Sequence, residues 1–238
     1  MATSKRFVIL SGPSGVGKGP LQRAVERLYP GKLKARPVLS TSRPPRGREV
    51  HGRDYYFLPE SFIRSLGSSP DFVVSLVRSD WQAIHLVQVG ELLDSNELVF
   101  VEAFYTFGQP LLPKATARGI AVSSVFLVPV EPGTPPDTIV STMRAKLDRR
   151  GTDDEKKKEE RAGDAPKELQ KSADYTHVLL NTVGEDDVDE WGEFGTLFDK
   201  PGTRSIQKLT DLGPRAKWLV DQFVKILDGN LPPGYHRP

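Results

Sequence analysis

The stretch Gly12-Pro13-Ser14-Gly15-Val16-Gly17-Lys18-Gly19 decides how this chain is read. Backbone N–H groups can turn inward around phosphate oxygens only where Cβ atoms do not intervene, and the glycines leave that room. Lys18 adds a mobile point charge for the β- and γ-phosphates of a nucleotide. The flanks agree with this reading. Phe7 to Leu10 is a short β-type run, and Leu21 to Leu28 carries apolar residues at helical spacing, so the phosphates would meet the positive end of a helix. The first seven positions follow the phosphate-loop pattern and the eighth departs from it. Gly19, followed by Pro20, stands where a Ser or Thr hydroxyl would ligate Mg2+. Proline is tolerated in a first helical turn, so the loop geometry survives. The missing hydroxyl leaves the metal to phosphate oxygens, water and a carboxylate elsewhere.

Outward from this loop, the composition bounds the answer. The chain has 238 residues, 37% of them hydrophobic and 27% charged, which suits one α/β domain with a continuous core. A formal charge of +2 gives no general attraction to nucleic acid or membrane. With no cysteine, disulfides, thiolate zinc sites and thiol nucleophiles are excluded. The first residues are too polar, and the apolar run after them too short, for a signal peptide or a span, so a soluble cytoplasmic protein is expected. His51, His85, His177 and His236 lack metal-ligand spacing, and Ser14 has neither a nucleophile elbow nor an acid–base set around it.

Further strands are expected at Tyr55 to Leu58, Leu98 to Ala103, Ile120 to Val130 and His177 to Leu180. Helical character runs from Ile139 to Arg149. The charged stretch from Arg149 to Lys171 reads either as a disordered linker or as a solvated helical arm. Alternating strands and helices imply a parallel sheet covered on both faces, with ligands at the carboxyl ends of its strands. From residue 184 onward an extension carries an amphipathic helix from Arg215 to Leu227 and a tail, Pro232 to Pro238, expected to be frayed. That helix packs on the core by default, and a second subunit in a homodimer is the alternative.

The second informative stretch is Ser40-Thr41-Ser42-Arg43-Pro44-Pro45-Arg46-Gly47-Arg48-Glu49-Val50-His51-Gly52-Arg53-Asp54-Tyr55-Tyr56-Phe57. Guanidinium forks bind phosphate oxygens bidentately and a phenol adds a neutral donor, so this loop suits a second phosphate. Together with the glycine-rich loop it resembles the guanylate kinase family in the order and spacing of Arg43, Pro45, Arg46, Glu49, Gly52, Asp54, Tyr55 and Phe57. A third match is Lys146-Leu147-Asp148-Arg149-Arg150-Gly151-Thr152, similar to the family's lid entry, with Arg161 where its later lid arginine belongs. Asn181 matches the asparagine after the last strand.

The resemblance covers residues 6 to 181 with a poorly matched middle from about 60 to 115. It implies a P-loop kinase fold over residues 1–183, a parallel sheet core flanked by helices. An acceptor-binding part lies at about 38–105, a helical lid at about 146–172, and the extension 184–238 packs on the core. It implies ATP and Mg2+, a donor held by Gly12, Pro13, Ser14, Gly15, Val16, Gly17, Lys18 and Gly19, and an acceptor monophosphate held by Arg43, Arg46 and Tyr55. Lys18, Arg150 and Arg161 would neutralise the charge of the transferring phosphoryl group across a closing cleft. Glu102 would assist the acceptor or hold the metal through water, while Phe104 removes the family's second carboxylate there.

Against the family's guanine-reading groups a gapless comparison sets Leu39, Phe72-Val73-Val74-Ser75 and Asp80-Trp81-Gln82-Ala83-Ile84-His85. A base buried without its partners loses about 1–3 kcal/mol per orphaned group. The expectation is therefore a phosphotransferase whose acceptor is an unusual nucleotide or a sugar phosphate. Trp81, Tyr56 or Phe104 would stack on the acceptor or pack in the core. Two alternatives stay open: a GMP kinase with relocated base contacts, and a non-catalytic module that binds phosphorylated ligands.

Overall fold

The computed structural model describes residues 5–150, 154–195 and 203–238, the side chain of Arg150 excepted. In chain order the elements are β1 (Arg6–Ser11), α1 (Lys18–Leu28), β2 (Ser40–Thr41), β3 (Tyr56–Phe57), α2 (Glu60–Leu66), β4 (Phe72–Val77), β5 (Asp80–His85), α3 (Leu86–Ser95) and β6 (Leu98–Glu102). Then follow α4 (Tyr105–Ala117), β7 (Val122–Val128), α5 (Pro136–Arg150), α6 (Glu155–Gln170), β8 (His177–Leu180), α7 (Val188–Trp191), α8 (Pro214–Leu227) and β9 (Gly234–His236). The strands order as β6-β1-β7-β8-β9 in one sheet and β3-β2-β5-β4 in a second. The class is α/β, with a parallel sheet core flanked by helices. The chain forms two compact units, Met1–Ile9 with Lys34–Ser123, and Leu10–Leu33 with Ser124–Pro238.

In the first unit Phe7, Ile9, Val99 and Val101 form a fully apolar centre. Leu86, Val89 and Leu93 of α3 and Phe107, Leu111 and Ala115 of α4 pack on it. Both faces of these strands are covered, which is why they read as unbroken apolar runs rather than alternating ones. The poorly matched middle segment supplies a hairpin: β4 and β5 pair antiparallel from Phe72↔His85 to Val77↔Asp80. Its two-residue turn puts Arg78 at φ 59, a left-handed conformation that side chains seldom adopt. Strand β2 joins β5 antiparallel, Thr41 opposite Gln82, and β3 lies parallel to β2.

In the second unit β7, β8 and β9 run parallel. Ile139, Met143 and Leu147 of α5 meet Ala162 and Ala165 of α6 in a small apolar cluster. From Glu155 to Gln170 the charged stretch is thus a helical arm, because its alanines at three-residue spacing give it one face to bury. Its other faces are pinned by ion pairs from Arg144 and Lys158 to Asp148, and Asp154 caps α6 by accepting from the Lys157 amide. Helix α8 buries Ala216, Leu219, Val220, Phe223, Val224, Ile226 and Leu227, and packs on α1 and α7. The terminal tail departs from the expectation of fraying. Gly234, Tyr235 and His236 pair with His177, Val178 and Leu179, so the open edge of β8 gains a strand and its backbone groups gain partners. The Tyr235 hydroxyl donates to Glu131 at 2.6 Å and fixes that strand.

Glu190, 5% exposed, ties the extension together. Its carboxylate accepts from the Arg215 and Ala216 amides at 3.0 and 2.9 Å, satisfying the orphan donors of α8, and pairs with the Arg215 guanidinium at 3.0 Å. Replacing Glu190 with Ala orphans these buried amides, and urea unfolding should show a stability loss of about 2–3 kcal/mol.

Candidate functional site

In the second unit the glycine-rich loop leaves β1 and enters α1 at Lys18. Gly12, Gly15 and Gly17 take φ 143, 81 and 96, a region that side chains avoid. Close approach adds a second constraint. A Cβ on Gly12 would sit 2.7 Å from the Leu127 carbonyl, and one on Gly17 would collide with the Asn181 amide. Asn181, 2% exposed, donates to the Val16 carbonyl at 2.6 Å and accepts from the Val183 amide at 3.2 Å, bracing the loop from the end of β8. Lys18 folds back into the loop, its ammonium donating to the carbonyls of Gly12 (2.8 Å) and Pro13 (3.0 Å). Pro20 falls in the first turn of α1, where no intrahelical amide bond is lost.

From α6 the Arg161 guanidinium donates to Ser14 Oγ of this loop at 3.4 Å. The Arg150 side chain and residues 151 and 152 of the expected lid entry lie outside the described residues. Lys146 is buried, 3% exposed, and donates to the Thr182 carbonyl at 2.8 Å. Burial first, and then Arg149, push its ammonium down from 10.5 to about 8. At the eighth loop position a Cβ built on Gly19 would lie 3.2 Å from Nη1 of Arg23. These residues do not fit a hydroxyl-ligated metal. Among the described residues no three of His, Asp and Glu gather to hold one.

In the first unit Arg43 is nearly enclosed, 9% exposed. Both of its terminal nitrogens donate to Glu49, at 2.6 and 2.7 Å, and its guanidinium lies 4.8 Å from the Tyr55 ring centre and 5.5 Å from that of Phe57. Arg43 holds the Glu49 carboxyl below its usual range, and the Arg46 amide, at 2.8 Å, adds to this. The Tyr55 phenol is raised, chiefly by burial, with Arg43 opposing and Glu102 reinforcing the shift. Arg46 is exposed, so the loop presents one enclosed and one exposed guanidinium beside a phenol. Such a set can hold a phosphate dianion.

The hairpin register reveals two polar groups that a gapless comparison does not rank. Phe57, Thr41, Gln82 and Ser75 form one row across the sheet, on the side where the Arg43 guanidinium lies. Ser75 donates to the Thr106 carbonyl at 2.6 Å, and the Gln82 amide is half-buried. The period-two alternation from Thr41 and from Ser75 was the available signal, since it puts Val74 on the opposite face. Leu39 is buried in the core. The aromatic candidates have other neighbours: Arg64 stacks on Trp81, Arg78 stacks on Phe104, and Tyr56 meets His51 edge-on.

Fold and loop together define the class, a P-loop nucleotide kinase. The family model described as guanylate kinase matches residues 4–73. The guanylate kinase of Lactobacillus delbrueckii subsp. bulgaricus is 30% identical over 184 residues, 76% of this chain and 83% of that protein. The guanylate kinase of Listeria monocytogenes is 32% identical over 178 residues, 74% and 80% of the two chains. This chain belongs to the guanylate kinase family. The crystal structure of guanylate kinase from Anaplasma phagocytophilum shares the fold, with a TM-score of 0.53 at 18% identity over 77% of this chain and 80% of that one. The reaction is accordingly an ATP-dependent one of the nucleoside monophosphate kinase kind. Among the described residues no helix is long and apolar enough to cross a membrane.

The buried Lys146 makes a pH prediction. Its folded value near 8 lies below the unfolded 10.5, so in that window the unfolded chain binds more protons and stability rises with pH. The rise from pH 8 to 10.5 should amount to about 3 kcal/mol and should vanish in Lys146→Met, as read by urea unfolding of both proteins.

Proposed function

We propose that this chain transfers the γ-phosphoryl group of ATP to the phosphate of a small acceptor. The donor sits on the amides of Gly12 to Gly19, with Lys18 bridging to the oxygens between the β- and γ-phosphates. Arg43 and Arg46 hold the acceptor phosphate and Tyr55 adds a neutral donor, while Glu102 orients this group from the end of β6. Arg150 and Arg161 neutralise the charge that spreads over the equatorial oxygens in the transition state. An acceptor phosphate is already an anionic nucleophile, so no general base is required. The work of the protein is positioning and electrostatics.

The observation that carries this reading is the reach of Arg161 to Ser14. A module that only binds a phosphorylated ligand through Arg43, Arg46 and Tyr55 has no use for a lid cation delivered to a separate phosphate loop. The acceptor we favour is a nucleotide or sugar phosphate other than GMP, because the gapless comparison sets Val74, which has no acceptor, against the glutamate with which the family receives guanine N1–H and N2–H₂. Transfer to GMP itself is the second reading, favoured by the relatives above, which are guanylate kinases.

A coupled assay of ADP release against GMP, AMP, IMP and pentose phosphates separates the two readings by which acceptor turns over. In either case Lys18→Ala should lower kcat on the order of a thousandfold while acceptor binding persists. Arg46→Ala should raise the acceptor KM about tenfold or more, as expected for a lost charge-assisted contact. Full turnover by the Lys18 variant would remove the donor assignment.

A further inference from the structure

Gly19 and Arg23 are four residues apart on α1 and therefore neighbours on its surface. Helical side chains lean toward the N-terminus, so an arginine at 23 covers the turn that begins at 19, and a glycine there offers nothing to displace it. The guanidinium is also fixed from the other side. Nε and Nη2 both donate to the carbonyl of Phe194, at 3.0 and 2.7 Å, and Nη1 is the nitrogen nearest Gly19. Phe194, 6% exposed, belongs to the short turn Gly192–Phe194 of the C-terminal extension. That turn packs against α1. An open cavity of about 360 Å³ lined by Arg23, Glu26, Arg27, Glu193 and Phe194 flanks this contact.

A hydroxyl carried on a Cβ at position 19 would meet Mg2+ at about 2.0–2.1 Å from its oxygen. In this chain Nη1 lies only 3.2 Å from that Cβ position. A divalent ion held there and the guanidinium would be like charges at close range, and each would disfavour the other. The substitution at 19 and the arginine at 23 thus form one arrangement: the hydroxyl that recruits a cation is gone, and a tethered cation occupies its surroundings.

We propose that Arg23, held by the Phe194 carbonyl of the extension, supplies positive charge to the donor triphosphate in place of a hydroxyl-ligated divalent cation, so that this chain binds ATP with little dependence on Mg2+. Guanidinium suits the task because it stays charged while two of its nitrogens hold the Phe194 carbonyl and Nη1 faces Gly19. The proposal rests on the donor-site reading above and also gives the extension a role, as the strut that aims Arg23.

The test is calorimetric titration of the full chain with ATP, in Mg2+ and in EDTA. The unmodified protein should bind ATP in EDTA within about threefold of its affinity in Mg2+, whereas Arg23→Met should weaken binding in EDTA about tenfold or more. Adding Gly19→Ser to Arg23→Met should make binding stronger in Mg2+ than in EDTA. Arg23→Lys, which keeps the charge but loses the fork on Phe194, should retain part of the EDTA affinity. Thermal unfolding of each variant separates loss of fold from loss of charge. If the unmodified protein binds ATP only with Mg2+, or if Arg23→Met binds in EDTA as the unmodified protein does, the proposal is overturned while the donor reading stands, provided Lys18→Ala abolishes binding. Absence of ATP binding in both conditions overturns both.

Discussion

The donor half of this protein depends on one side chain holding one loop. Asn181 leaves the end of β8, donates to the Val16 carbonyl, accepts from the Val183 amide, and fills the space beside Gly17 that any Cβ would need. With the amide in place, the loop keeps left-handed turns at Gly15 and Gly17. Lys18 completes the structure by tying its ammonium to the Gly12 and Pro13 carbonyls. A loop so constrained loses little further freedom when phosphate arrives, which is the advantage of preorganisation for electrostatic work.

The acceptor loop solves a related problem with different chemistry. Arg43 is nearly buried, and a buried guanidinium is costly unless every face has a partner. Glu49 takes its two terminal nitrogens, and Tyr55 and Phe57 lie under it. Arg46, by contrast, is exposed on the same loop, its amide donating to Glu49. One arginine is therefore set in position by its partners and the other is exposed.

Two cations near the donor loop are handled by the C-terminal half of the second unit. Lys146 is sunk against the Thr182 carbonyl, and its lowered value records the cost of burial. Arg23 is held by Phe194, a residue of the extension. The extension itself is organised by Glu190, which caps α8 and lets its apolar face lie on α1. A segment without a matching motif thus shapes the charge around the loop where the motif is strongest.

Much of this was legible in the chain alone. Local rules suffice for a glycine-rich loop between an apolar run and an amphipathic helix, because backbone sterics and helical periodicity act within a few residues. The acceptor loop was legible for a similar reason, since Arg43, Glu49 and Tyr55 meet within thirteen residues. Other features needed the tertiary structure. Whether 149–171 is linker or arm turned on two alanines finding Met143 and Leu147. The tail became a strand because β8 offered it an edge. Gln82 came level with Thr41 only through a register that no gapless comparison can supply, and Arg23 reached Phe194 across 171 residues of chain. Contacts between distant segments are chosen by packing and by the need to satisfy buried polar groups, and neither is written in the spacing of any one stretch.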